Sequence, residues 1–113
     1  MRTIFALAIA CCATPGVAHA FLQHGNPGAG VTLNAPPTRV VLIFSEKLAA
    51  QGSRVSVIDA IGRSVEAGAA VVDGKTMVAP LLPLGPGKYR VIWHAMSLDE
   101  HRTQGAYSFC VKP

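Results

Sequence analysis

Asp99 and His101 stand two residues apart in a polar stretch, Asp99-Glu100-His101, between two strongly patterned apolar segments. In an extended backbone that spacing sends both side chains to one side, so a carboxylate oxygen and an imidazole nitrogen can converge on one ion. The same triplet also suits a turn closed by a hydrogen-bonded aspartate. His19 is the other candidate. If a leader is removed after Ala18, His19 becomes the first residue, and its free α-amine, with an ordinary pKa of about 7.7–8, gives up its proton to a metal around neutrality. Amine and imidazole then chelate from a single residue. Together with an imidazole from His101 and an oxygen from Asp99 they make a nitrogen-rich N,O set suited to one tetragonal Cu(II) ion, which binds most tightly of its divalent series. His24 reads as an additional or supporting group or as a surface histidine. His94 follows Trp93 inside a strand and is expected to face away from it.

Everything about His19 depends on a leader. Arg2 supplies a positive start, Ile4 to Cys12 an apolar run, and Ala13 to Ala20 the small residues of a secretory signal. The run is too short for a membrane-spanning helix, which needs roughly 20 apolar residues, and no later stretch is long enough. Two cuts satisfy the small-residue rule. Gly16-Val17-Ala18 leaves His19 at the terminus, whereas Ala18-His19-Ala20 discards it and is the closer match to A-x-A. Cys11 and Cys12 offer only a poor lipoprotein signal.

The remainder, of about 95 residues, suffices for one domain and one core. The chain has three cysteines, and with Cys11 and Cys12 in the leader no internal disulfide can form; Cys110 is expected as a small buried hydrophobe in a terminal strand. Its ten Lys and Arg and six Asp and Glu are scattered singly, without basic runs or interleaved aromatics, which argues against a nucleic-acid partner.

Short apolar runs punctuated by Gly, Pro and Asp, with no window for an ordinary amphipathic helix, indicate an all-β chain. Strands are expected at 21–24, 39–45, 54–59, 69–72, 76–80, 88–95 and 105–111. A hairpin turns at Asp73-Gly74-Lys75, where glycine tolerates positive φ. Val40, Leu42 and Phe44 share one face, as do Tyr89, Val91 and Trp93. Seven or so strands separated by regular turns suggest a Greek-key β-sandwich of two sheets.

In order and spacing these segments resemble the CopC family of periplasmic copper-resistance proteins over nearly the whole chain after the leader. The resemblance rests on Ala18-His19-Ala20-Phe21-Leu22-Gln23-His24, on Asn26-Pro27 and Ala35-Pro36, and on Val41-Leu42-Ile43-Phe44-Ser45-Glu46. Most specific is the stretch 89–105, which reads YRVIWHAMSLDEHRTQG, followed by Ser108-Phe109. It implies an immunoglobulin-like or cupredoxin-like sandwich or barrel, a leader over residues 1–18 and a copper-binding domain over 19–113. It also implies a cut that leaves His19 first, with Asp99 and His101 as the other metal ligands. The expected role is a copper carrier in copper homeostasis and resistance, not an enzyme. Some members add a methionine-rich loop for Cu(I). Only Met77 and Met96 follow Met1 here, so one Cu(II) site is expected. The family is often paired with a multi-spanning, CopD-like inner-membrane protein, which would here be a separate polypeptide.

Two other functions compete. An amino-terminal histidine chelating copper also resembles the brace of lytic polysaccharide monooxygenases, although about 95 residues leave little room for a substrate face. The sandwich could also serve as a metal-free adhesive or scaffolding module.

Overall fold

The computed structural model describes residues 19–113; the expected leader and Cys11 and Cys12 lie outside the described residues. Eight strands form: β1 (Leu22–Asn26), β2 (Thr32–Leu33), β3 (Arg39–Phe44), β4 (Arg54–Ile58), β5 (Val71–Asp73), β6 (Thr76–Pro80), β7 (Gly87–Met96) and β8 (Arg102–Val111). They build two four-stranded sheets, ordered β1-β3-β6-β5 and β2-β8-β7-β4. This is the all-β sandwich expected from the strand count. None of the described residues forms a helix long and apolar enough to cross a membrane.

Period-two alternation places the core between the sheets. Val40, Leu42 and Phe44 of β3 and Met77 and Ala79 of β6 face Val57 of β4, Val91, Trp93 and Ala95 of β7, and Phe109 and Val111 of β8, all buried. Two aromatic pairs anchor that layer. Phe44 meets Trp93 edge to face across the sheets at 5.2 Å, and Tyr89 stacks on Phe109 at 5.5 Å. Each such contact adds about 0.5–1.5 kcal/mol to the burial itself.

The β7–β8 hairpin pairs ten residues with ten, from Gly87 opposite Val111 to Met96 opposite Arg102. Gly105 sits opposite Trp93, and a Cβ there would stand 2.5 Å from the indole ring. The indole thus occupies space that only glycine leaves. The β5–β6 hairpin closes as expected. Asp73 pairs with Thr76 around Gly74-Lys75, and Gly74 has φ 64°, as a two-residue turn with glycine first requires.

Three expectations change. The two-residue strand β2, which runs parallel to the end of β8, is too short to show a pattern. β8 begins at Arg102 rather than residue 105, because Arg102 and Gln104 point outward and Thr103 inward, an alternation without apolar marks. Cys110 is a free, half-buried thiol on the outer face; its neighbours Phe109 and Val111 take the core positions.

Candidate metal centre

The segment joining β7 to β8 is a tight turn. Ser97 N–H donates to the His101 carbonyl at 3.0 Å, and Glu100 N–H donates to the Ser97 carbonyl at 2.9 Å. Leu98-Asp99-Glu100 is therefore a three-residue loop whose last residue is left-handed, with Glu100 at φ 70°, the pattern of a turn followed by a bulge. Glycine normally fills that position.

The turn brings Asp99 and His101 together more closely than an extended backbone would. Asp99 Oδ2 lies 3.1 Å from His101 Nδ1. Its other oxygen accepts the hydroxyl of Ser97, which is buried. These two bonds, that from Ser97 first, hold the Asp99 carboxyl below the usual carboxylate range against a smaller opposing effect of burial. The hydrogen-bonded turn and the carboxylate–imidazole pair, two alternatives on sequence grounds, occur in one turn.

His19 arrives from the opposite sheet and far away in sequence. Its ring centroid is 4.8 Å from that of His101, inclined by 32°. Three anchors place it. The Ser45 hydroxyl donates to the His19 carbonyl at 3.1 Å and accepts Phe21 N–H at 2.9 Å, while Ser45 N–H donates to the Phe21 carbonyl at 2.9 Å. Between them Ala20 is completely buried, and its carbonyl accepts the Thr103 hydroxyl. The arm from His19 to Phe21 is thus bound to β8 and to the end of β3.

The three side chains are neighbours without converging on one point. Among the described residues no three His, Cys, Asp or Glu side chains are gathered closely enough to hold an ion. The 3.1 Å separation of His101 Nδ1 and Asp99 Oδ2 is a hydrogen bond in which the ring N–H donates, which leaves Nε2 as the ring nitrogen that can meet an ion.

Other histidines lie apart from this cluster. His24 is exposed on β1, just past an irregularity in its pairing with β3, and lines a depression with Gly25 and Tyr107. His94 turns away from Trp93 onto the outer face of β7, as expected. Met77 is buried in the core, and Met96 packs over Gly52. Sequence reasoning did not find Ser45 and Thr103. Nothing in a single chain links a hydroxyl to a carbonyl 26 or 83 positions away. Ser97 could have been found, because Ser before x-Asp is a turn signal.

Fold and cluster together describe a small two-sheet β protein with an imidazole pair at one end. Residues 22–112 match the family model described as CopC domain. The chain belongs to the CopC family. It is 34% identical to Protein YobA of Escherichia coli strain K12, over 99% of this chain and 94% of that protein. It is also 34% identical to copper resistance protein C of Xanthomonas campestris pv. juglandis, over 97% and 93% of the two chains. Among solved structures, CopC from Methylosinus trichosporium OB3b superposes with a TM-score of 0.78 at 28% identity, covering 84% of this chain and 95% of that one. PcoC, a methionine-rich copper resistance protein from Escherichia coli, gives a TM-score of 0.68 at 35% identity, covering 84% and 100%.

Proposed function

We propose that this chain is a periplasmic Cu(II)-binding protein of copper resistance and homeostasis. After processing at Ala18 it holds one ion through the His19 amine and imidazole, the His101 imidazole and the Asp99 carboxylate. The observation that carries this reading is the 4.8 Å approach of the His19 and His101 rings. Hydrogen bonds from Ser45 and Thr103, which involve no metal, maintain it. Relatives named copper resistance protein C support copper as the ligand. Nitrogen and carboxylate donors favour Cu(II), whereas Cu(I) prefers sulfur, and Met77 and Met96 are each engaged in packing. The protein acts as a carrier rather than an enzyme, passing copper to a separate CopD-like inner-membrane importer.

Asp99 has two functions in this scheme. Before loading it fixes the His101 ring through Nδ1, as carboxylates do for ligating histidines; on loading it turns an oxygen to the ion.

The test is a Cu(II) titration of metal-free chain beginning at His19, with intact mass and paramagnetic resonance recorded together. The expected result is one ion per chain with nitrogen hyperfine structure. A chain retaining Ala18, and so lacking an amine on His19, should bind at least a hundredfold more weakly, and His101→Ala similarly. The reading fails if an exported chain starts at Phe21, or if binding survives replacement of both His19 and His101.

A further inference from the structure

The outer face of the β2-β8-β7-β4 sheet is built unlike the rest of the surface. β4, β7 and β8 contain no Asp or Glu, yet Arg54, Lys88, Arg90 and Arg102 all stand at their exposed positions. Strand register gathers residues that are scattered in sequence. Arg54 lies opposite His94, and His94 opposite Gln104. Arg102 occupies the next outward position on β8, opposite Met96. Among the described residues the one arginine–carboxylate pair is Arg63 with Asp59, in the loop after β4. Arg54, Arg90 and Arg102 therefore have no carboxylate within 4.0 Å among those residues. The register sets none of these cations directly opposite another, so the face carries spaced positive charge with no carboxylate on its own strands.

The face is also concave at one end. Arg54, His94, Arg102 and Gln104 surround a cavity of about 510 Å³, with Gly52 and Thr103 completing its wall. That volume falls in the range of small-molecule sites, about 300–1,000 Å³. A second depression, reaching to Arg90 and Ile92, shares His94 and Gln104 with it. The side chains present N–H donors: two guanidinium forks, an imidazole and an amide. Guanidinium forks match the paired oxygens of a phosphate group, and no carboxylate lines the cavity to repel one.

We propose that this cleft binds a phosphate group, free or as part of a small ester or lipid headgroup, held between Arg54 and Arg102 with His94 beneath. The site is distinct from the His19–His101 cluster and does not depend on the copper reading. Gln104 closes the β8 side of the cleft, and Gly52, over which Met96 packs, forms part of the opposite wall.

The experiment follows backbone and His94 side-chain resonances of the metal-free protein while inorganic phosphate is added at constant ionic strength. Saturable shifts should centre on Arg54, His94, Arg102 and Gln104. The double variant Arg54→Gln, Arg102→Gln should weaken binding at least tenfold with an unchanged dispersed spectrum. Arg63→Gln should stay within twofold. A parallel arm sediments the protein with phosphatidylglycerol–phosphatidylcholine vesicles. Binding that free phosphate competes away identifies a headgroup as the source and supports the site. Shifts that fail to saturate, that spread equally to Arg63 and Lys75, or that persist in the double variant overturn it. So does vesicle binding that phosphate leaves untouched, which would mark a flat electrostatic contact in place of a cleft.

Discussion

The arm from His19 to Phe21 and the turn from Ser97 to His101 place adjacent imidazoles by opposite means. The turn is held mainly from within: Ser97 supplies a backbone N–H, a carbonyl and a hydroxyl that bind within four residues, while its start is tied outward by the bridge between Ser97 and Leu48. The arm has no such local device. It is held by Ser45, on the segment following β3, and by Thr103 on β8, across separations of 24 to 83 residues. One half of the cluster is held chiefly by its own short segment, the other wholly by distant parts of the sandwich. Damage to the sandwich should therefore release His19 first and leave the Asp99–His101 pair largely intact.

The largest effect tests what the halves share. Gly105→Ala drives a methyl group into the Trp93 ring, two residues from Thr103, and should cost about 2–3 kcal/mol by overpacking, read by denaturant unfolding. Ser45→Ala removes two of the arm's hydrogen bonds and should cost about 1–2 kcal/mol. It should also lower copper affinity about 10- to 100-fold, as loss of supporting bonds does at metal sites. Calorimetry would check it. Equal loosening of arm and turn in hydrogen exchange would break the contrast between them. In the turn, Glu100→Gly replaces a left-handed residue that carries a Cβ and should stabilise the protein by about 1 kcal/mol, seen as a raised Tm.

The smallest effect is on acidity. The Asp99 carboxyl is depressed by its bonds from Ser97 and His101, so its contribution to stability is fully present above the ordinary carboxylate pKa of about 3.9. That contribution disappears as pH falls through the lower folded value. The arm's bonds come from hydroxyl and backbone groups and do not titrate there. In metal-free protein, protection of the amides around Leu98 to His101, taken relative to their intrinsic exchange rates at each pH, should fall below pH 4 before protection in the arm does.

The same division between local and distant determines how much was legible in the sequence. Alternation at Val40-Leu42-Phe44 and Tyr89-Val91-Trp93 located the long strands, because each records its own burial. β2 and the first three residues of β8 carried no such record. Asp99 and His101 stood out as a pair because their relation is local. The position of His19 beside them came from resemblance to a family, since its anchors are ordinary hydroxyls elsewhere in the chain. The basic cleft was invisible for a related reason. Arg54, His94 and Arg102 look solitary until antiparallel register sets their strands side by side.

The double use of the Ser45 hydroxyl, with one bond on either side of buried Ala20, has a kinetic consequence. Fixing three residues of a loose terminus costs roughly 3–6 kcal/mol in backbone entropy. On the proposed reading, with His19 first, that ordering accompanies folding, so an arriving ion would meet a terminus already in place. A departing ion need not drag the terminus out with it. Copper can then change hands by stepwise ligand exchange at an exposed edge, with the rest of the molecule standing still.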